Sequence, residues 1–216
     1  MIGRRHLFDI CVHGPMGSGK STFSRLLAES LLSLGIPSHR ISADRARRNL
    51  LARPGNFAFR DTLRKELLSS SGGGPFLGDE AAELSLACST EEGVETFSRV
   101  AWGDVLSEMK RFSSEIQASL TIAEWTRANE DGLAPLCGRS AFLSCPEKTF
   151  LFRAFEAGWD PGESLSRRQA SGGTPSPGAF VVDNSGTPEG LAKIAERLAL
   201  EISRSPGRKR FWTEAL

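Results

Sequence analysis

A glycine-rich segment near the start of the chain restricts the possible folds more than any other feature. Residues 14–21 read GPMGSGKS and match the pattern G-x-x-x-x-G-K-[ST] at every position. The segment follows a short apolar stretch, residues 7–13, with the character of a buried strand, and precedes a leucine-rich helical pattern over residues 21–34. A strand, a glycine loop and a helix in this order predict a phosphate-binding loop in an α/β fold.

The residue types in this loop suit a nucleoside triphosphate. Glycines allow the backbone to turn tightly and to direct successive N–H groups at phosphate oxygens. Lys20 is placed to reach the β- and γ-phosphates, and the Ser21 hydroxyl is placed to bind Mg²⁺. A loop that only connects a strand to a helix is the alternative, and the context disfavours it. The residues expected to bind ATP here are Gly14, Pro15, Met16, Gly17, Ser18, Gly19, Lys20, Ser21 and Thr22.

Strand and helix signals alternate along the rest of the chain. Besides residues 7–13, the stretches 38–43, 119–125, 139–144 and 179–183 have strand character, and each is followed by a helical pattern. This alternation predicts an α/β fold with a five-stranded parallel sheet in one domain, residues 1–203. An irregular helical region, about residues 54–117, is expected as an insertion, and residues 204–216 as a flexible basic tail.

Charge and cysteine usage argue against several other classes of protein. The chain has 27 Lys and Arg against 26 Asp and Glu, so no overall field favours nucleic acid or a membrane surface. Its four cysteines lie far apart without a CxxC pair, which argues against a zinc site or a disulfide framework. We expect a cytoplasmic protein, monomeric or weakly oligomeric, that binds small molecules and neither nucleic acid nor membrane.

Two carboxylates follow or end predicted strands. Asp44 comes after the second strand, and Glu124 lies near the end of the third. Carboxyl ends of parallel strands meet at one edge of a sheet, so both residues are expected at the cleft beside the glycine loop. Asp44 is a candidate to accept a proton from an attacking hydroxyl or to hold Mg²⁺ through water, and Glu124 to act on the metal side. The alternatives are that Asp44 only caps the following helix and that Glu124 is a surface residue.

Arginines occur where a phosphate-rich ligand would need them. Arg45, Arg47 and Arg48 lie in the helix after the second strand, while Arg167 and Arg168 precede a Gly- and Pro-rich loop. We expect Arg48 to contact the substrate. We expect residues of about 158–178 to form a lid whose arginines neutralise a transferred phosphoryl group. The alternative for each of these arginines is a solvated helix face.

Two blocks of the sequence resemble the dephospho-coenzyme A kinase family of P-loop kinases. GPMGSGKST and LGIPSHRISADRARRNLLARPG are similar to the family's loop, its L-G-x-x-V-I-D-A-D segment, an arginine-bearing helix and a Pro-Gly. Near the other end, SCPEKTFLFR, RRQ and AFVVDNSGTPEGL are similar to a Pro-Glu, an arginine, a glutamine and a V-I-D-N-S-G loop. The resemblance spans about residues 8–199. It implies a three-layer sandwich in which the insertion binds coenzyme A and residues 158–178 form the lid.

The resemblance also implies an activity, the ATP- and Mg²⁺-dependent phosphorylation of the ribose 3′-hydroxyl of dephospho-coenzyme A. Asp44 falls on the aspartate expected to assist deprotonation of that hydroxyl. Arg153 and Gln169 fall on the arginine and glutamine of the lid side, and Asp183 and Asn184 open the loop near the adenine. The segment IAEWTRANEDGLAPLCGRSAFL is similar to the family's D-I-P-L-L-x-E-x-G-L. The acidic residues that it matches there are Glu124 and Glu130.

Several positions depart from the family pattern. Ser42 replaces the first aspartate of Asp-Ala-Asp, and Trp102-Gly103 stands where His-Pro is usual. Residues 126–128, TRA, stand where Pro-Leu-Leu is usual. Ala157 replaces a second lid arginine, whose part would fall to Arg167 or Arg168. These departures leave two alternatives open, another small-molecule or nucleotide kinase of the same fold and a nucleotide-binding protein with little phosphotransfer.

Overall fold

The computed structural model describes residues 6–53, 62, 65–66, 90–116 and 120–204 of the 216-residue chain. Most of the predicted insertion, including most of a helix expected over residues 57–68, lies outside the described residues. The same holds for residues 205–216 of the predicted tail. None of the described helices is both long and apolar enough to cross a membrane.

A five-stranded parallel sheet forms the centre of the described structure, and this part of the prediction is confirmed. The strands are β1 (Phe8–His13), β2 (Ser38–Ser42), β3 (Leu120–Trp125), β4 (Cys137–Ser144) and β5 (Phe180–Asp183). They lie in the order β2-β3-β1-β4-β5, and all the neighbouring pairs are parallel. At their carboxyl ends, His13 pairs with both Trp125 and Phe142, so the segments after the strands meet at one edge of the sheet.

Six described helices connect or flank the strands. They are α1 (Lys20–Ser33), α2 (Ala43–Ala52), α3 (Glu91–Glu115), α4 (Glu147–Glu156), α5 (Pro161–Ser171) and α6 (Pro188–Arg204). Helix α3 begins well before the helix that the sequence predicts over residues 105–116. Thr90 caps its start, because the Thr90 hydroxyl accepts a hydrogen bond from the Gly93 N–H at 3.1 Å.

The helices cover both faces of the sheet and give it a three-layer arrangement. Successive strand side chains point to opposite faces, so Ile10 and Val12 of β1 pack in one core and Cys11 packs in the other. Phe8, at the start of the strand, joins the core that contains Cys11. The first core is completed by α1 and α6, through Phe23, Leu27, Leu31, Leu191, Ala195 and Leu198. The second is completed by α2 and α3, through Ala46, Leu50, Val105 and Met109. Burial of each large side chain contributes roughly 1.5–3 kcal/mol, which fixes β1 and the loop that follows it.

The alternative that Asp44 only caps the following helix is wrong. Helix α2 is capped by Ser42, whose hydroxyl accepts a hydrogen bond from the Arg45 N–H at 3.4 Å, and not by Asp44. Asp44 lies in the first turn, half of its side chain is exposed, and its carboxylate is available to the cleft. Moreover, β2 is not the neighbour of β1, because β3 lies between them.

Candidate nucleotide-binding cleft

The glycine loop between β1 and α1 has a backbone that requires glycine at two closely packed positions. Gly14 has a φ of 138° and Gly19 a φ of 92°. A Cβ atom at Gly14 would lie 2.2 Å from the Leu143 carbonyl oxygen, and one at Gly19 would lie 2.2 Å from Asn184 Nδ2. The end of β4 and the loop after β5 therefore press against the glycine loop, and a side chain at either position would displace it.

Lys20 is the first residue of α1 and folds back over the loop. Its Nζ donates a hydrogen bond to the Pro15 carbonyl oxygen at 3.0 Å. Burial lowers the pKa of Lys20 to about 8, while the nearby carboxylates of Asp44 and Glu124 oppose part of that lowering. In the described structure the Lys20 ammonium donates one hydrogen bond and is partly desolvated. It is therefore well suited to exchange the Pro15 carbonyl oxygen for phosphate oxygens.

A cleft of about 550 Å³ opens beside Lys20. This volume is within the range of sites that hold cofactors and small ligands. The structure brings several of the predicted site residues together on its walls. They are Lys20, Ser21, Thr22, Asp44, Arg153 and Asn184.

Glu124 lies close to this cleft but is buried beneath it. Its side chain is only 4% exposed, so the alternative of a surface residue is wrong. Arg40 of β2 donates to Glu124 Oε1 from Nε at 3.0 Å and from Nη2 at 2.8 Å. The same Nη2 donates to the Ser21 carbonyl oxygen at 3.0 Å. Arg40 therefore joins the buried carboxylate to the first turn of α1.

The residues after β4 and β5 form the opposite wall. Asn184 is buried, and its Nδ2 donates to the Ser18 carbonyl oxygen at 2.9 Å, which ties the loop after β5 to the glycine loop. Asp183 is exposed and accepts hydrogen bonds from the Ser185 N–H and hydroxyl, each at 3.0 Å, so it shapes its own turn and does not line the cleft. Arg153 donates to the Gly186 carbonyl oxygen at 3.3 Å and faces the cleft.

The three predicted lid residues of α5 take different positions, and none of them lines the cleft. Arg167 forms an ion pair with Glu163 one turn away. Gln169 is exposed. Arg168 donates to the Met16 carbonyl oxygen at 2.6 Å and to the Cys145 carbonyl oxygen, with its guanidinium over the Phe150 ring. In this conformation Arg168 braces the glycine loop from outside.

Other predicted residues lie away from the cleft walls. Arg48 is exposed on α2, and its neighbour Arg47 is half-buried with Nη2 3.6 Å from Asp44 Oδ1. Glu130 accepts hydrogen bonds from the Thr174 N–H at 2.7 Å and from the Thr174 hydroxyl at 2.6 Å. It therefore fastens the turn after β3 to the loop after α5.

The oxygen atoms around Lys20 fit the requirements of Mg²⁺. This cation prefers a few oxygen ligands from the protein together with phosphate oxygens and water. The Ser21 hydroxyl lines the cleft, and the carboxylates of Asp44 and Glu124 both act on the Lys20 ammonium. No cluster of three or more His, Cys, Asp or Glu side chains suited to a metal occurs among the described residues. A magnesium ion here would therefore depend on the nucleotide for most of its ligands.

Several residues of the site were missed from the sequence, and Arg40 and Trp159 are two of them. Arg40 gave no signal, because its partner lies 84 residues away and the pairing of Ser42 with Glu124 across β2 and β3 cannot be read from spacing. Trp159 lines the cleft with half of its surface exposed. The sequence signal for Trp159 was its position directly after Gly158, just beyond the end of the helix that carries Arg153.

The sheet order and the glycine loop define a P-loop α/β fold. Neither a family model nor a curated protein matches the chain. Among solved structures, the chain is similar to TT1252 from Thermus thermophilus, with a TM-score of 0.61 and 23% identity over 92% of this chain and 99% of that one. This similarity establishes the fold.

Two further solved structures resemble the chain more distantly. One is the dephospho-CoA kinase from Campylobacter jejuni, with a TM-score of 0.44 and 17% identity. The other is a gluconokinase from Sinorhizobium meliloti 1021, with a TM-score of 0.46 and 18% identity. The alignments cover 91% and 93% of this chain and 98% and 96% of those chains, respectively. Structural similarities with TM-scores this low do not indicate the substrate of this chain.

Proposed function

We propose that the protein transfers the γ-phosphoryl group of ATP to the ribose 3′-hydroxyl of dephospho-coenzyme A. The observation that carries the phosphotransfer is the meeting of Lys20, Ser21 and Asp44 in one cleft, with the glycine loop at its base. The choice of acceptor is supported by the sequence blocks around Asp44 and Asn184, which resemble the dephospho-coenzyme A kinase family.

The glycine loop would hold the triphosphate. Its backbone N–H groups and the amino end of α1 attract phosphate oxygens. Lys20 would release the Pro15 carbonyl oxygen and bind the β- and γ-phosphates, where its charge opposes the charge that develops during transfer. Asn184 would keep the loop in place through its bond to the Ser18 carbonyl oxygen.

Asp44 would act on the acceptor. Its exposed carboxylate at the start of α2 faces the same cleft as Lys20, so a hydroxyl bound between them can donate its proton to Asp44. Ser21 would hold Mg²⁺ together with phosphate oxygens, and the ion supplies charge neutralisation between the phosphates when bound. Positioning and charge neutralisation account for most catalysis of this kind, with little covalent work by the protein.

The test is ATP consumption with dephospho-coenzyme A and Mg²⁺, together with direct detection of coenzyme A. We expect turnover by the wild type and a loss of about 100-fold or more in Lys20→Ala and Asp44→Asn. The matched controls are Lys193→Ala and Asp104→Asn, which change exposed residues of α6 and α3 and should leave turnover unchanged. ATP binding without formation of coenzyme A would reject dephospho-coenzyme A as the acceptor. Other small molecules and nucleotides would then be tested as acceptors.

A further inference from the structure

Two arginines lie beside the cleft on the side of β2 and β3. Arg47 is one turn after Asp44 on α2, and Arg127 directly follows Thr126, the first residue after β3. Asp44 and Thr126 both line the cleft. Arg153 and Asn184 come from the segments after β4 and β5, on the other side of β1 in the sheet order. The two arginines therefore flank the part of the cleft where a phosphate acceptor would enter.

Both guanidinium groups have donors that no described residue accepts. Arg47 Nη2 is 3.6 Å from Asp44 Oδ1 and Arg127 Nε is 3.7 Å from Asp131 Oδ1, which are too long for hydrogen bonds. The Nε atoms of both arginines are buried and have no hydrogen-bond partner in the described part of the chain. Asp131 Oδ2 accepts hydrogen bonds from the Trp125 indole and the Ser98 hydroxyl, and Oδ1 faces Arg127 only at ion-pair distance.

Other arginines near the cleft behave differently. Arg40 donates three hydrogen bonds and Arg168 donates two, all to protein oxygens. A partly buried guanidinium that leaves its donors unused loses hydration without replacement, and such groups call for an explanation. Two of them, on separate elements beside one cleft, are best explained by a ligand that is absent here.

Arg47 contacts α3 directly, and Arg127 is linked to α3 through Asp131. The Arg47 guanidinium lies over the Phe97 ring, 5.6 Å from its centroid. Asp131, the loose partner of Arg127, contacts Ser98, the next residue of α3. Arginine donors match phosphate oxygens in geometry, so a phosphate group can accept from the unpartnered Nε of each arginine.

We propose that Arg47 and Arg127 form a second anion site, on the acceptor side of the cleft, and that the acceptor molecule carries a phosphate or diphosphate group. This inference rests on the proposed phosphotransfer and assigns residues to the diphosphate that dephospho-coenzyme A carries. The two positive charges of Arg47 and Arg127, from separate elements, suit a bound diphosphate better than a ligand with a single carboxylate. The neighbouring carboxylates of Asp44 and Asp131 sit beyond hydrogen-bond distance and leave the guanidinium donors free for such a group.

The first experiment measures binding of inorganic phosphate to the full chain with the glycine loop filled by a non-hydrolysable ATP analogue and Mg²⁺. We expect Arg47→Met and Arg127→Met each to weaken phosphate binding about tenfold or more, because each removes a charge-assisted contact. Arg197→Met is the matched control, since Arg197 is an exposed arginine of α6, and it should change phosphate affinity less than twofold. Affinity for the ATP analogue should stay unchanged in all three variants.

The second experiment uses turnover with dephospho-coenzyme A, with Arg47→Lys and Arg127→Lys as variants that keep the charge. The methionine variants should raise KM for the acceptor about tenfold with kcat nearly constant, and the lysine variants should recover part of that loss. Unchanged phosphate affinity or unchanged KM in both methionine variants overturns the anion site and leaves the proposed function standing. Arginine-dependent phosphate binding without turnover supports the anion site and rejects dephospho-coenzyme A as the acceptor.

Discussion

Arg40 directs both Nε and Nη2 at a single oxygen atom, Oε1 of Glu124, over distances of 3.0 and 2.8 Å. The Glu124 side chain is 4% exposed, whereas the Arg40 side chain is 34% exposed and lies on the edge strand β2. The other oxygen, Oε2, accepts no hydrogen bond from the residues that the structure describes. The buried charge therefore depends on one partner that reaches in from the edge of the sheet.

Replacing Arg40 by methionine should destabilise the protein by about 2–4 kcal/mol, because the carboxylate of Glu124 is left buried without a partner. The double variant Arg40→Met with Glu124→Gln should recover most of that loss. Urea denaturation at neutral pH measures both changes. In the control Arg25→Met, which breaks an exposed ion pair with Glu29 on α1, the loss should stay below about 1 kcal/mol. Equal losses for Arg40→Met and Arg25→Met would contradict this account of the buried pair.

Two glycines with open space around them should respond to alanine in opposite directions. A Cβ at Gly103 in α3 or at Gly35 after α1 would meet no atom of the described residues within 4 Å. Gly103 is helical, so Gly103→Ala should stabilise the protein by about 0.5–1 kcal/mol. Gly35 has a φ of 75°, so Gly35→Ala should destabilise it by about 1–2 kcal/mol. Thermal unfolding of both variants gives the two signs, and a shared sign would show that backbone conformation is not the cause.

Removal of the Asn184 side chain should weaken ATP binding with a small cost in stability. Asn184 Nδ2 holds the Ser18 carbonyl oxygen at 2.9 Å and so fixes the glycine loop. A hydrogen bond of this kind contributes about 0.5–1.5 kcal/mol, so we expect Asn184→Ala to raise the Kd for ATP about 3–10-fold. Calorimetric titration measures it, and Asn49→Ala, on the exposed face of α2, is the control. An unchanged Kd in Asn184→Ala would show that the loop keeps its shape unaided.

The stability of the protein should fall with acid because of His13. Burial lowers the pKa of His13 from 6.5 to about 4, and its Nε2 lies 3.2 Å from the Ser176 hydroxyl oxygen. Between these two pKa values the unfolded chain binds a proton that the folded chain does not, so this contribution to stability is complete above pH 6.5 and is lost as the pH falls towards 4. The expected loss is about 3 kcal/mol.

Urea denaturation of the wild type and of His13→Gln between pH 4 and 7.5 tests this prediction. This pH range spans the pKa values of His13 in the unfolded and folded chain, 6.5 and about 4. The variant should be less stable at neutral pH and should lose less stability on acidification. His39→Gln is the comparison, because His39 is only half-buried and water still reaches its ring. A pH profile of His13→Gln parallel to that of the wild type would assign the acid sensitivity to other groups.

The strands could be predicted to within about two residues, because each is a short apolar run with local stop signals. The largest deviation is at β4, which begins at Cys137 and not at residue 139, since its pairing with Phe8 of β1 extends it. Strand order could not be predicted, because the position of β3 between β2 and β1 is decided by long-range packing. The continuity of helix α3 over Glu91–Glu115 could not be predicted for the same reason, as its first half is stabilised by Thr90 and by contacts such as Phe97 with Arg47.

In the candidate site, too, the local features could be predicted from the sequence and the long-range contacts could not. The glycine loop was accessible from sequence, because its conformation is encoded within residues 14–21. The contacts that complete the site join distant residues. Arg40 meets Glu124, Asn184 meets Ser18, and no spacing rule announces either pair. Arg168 was predicted as a lid residue and is observed against the Met16 carbonyl oxygen, 152 residues away in the chain.

The position of Arg168 has a mechanical consequence. The two carbonyl oxygens that it holds, on Met16 and Cys145, belong to the segments that leave the adjacent strands β1 and β4. Since one side chain near the end of α5 closes both bonds, α5 cannot swing outward without pulling directly on the glycine loop. In this conformation Arg168, which the sequence assigns to the lid, therefore couples movement of α5 to movement of the glycine loop.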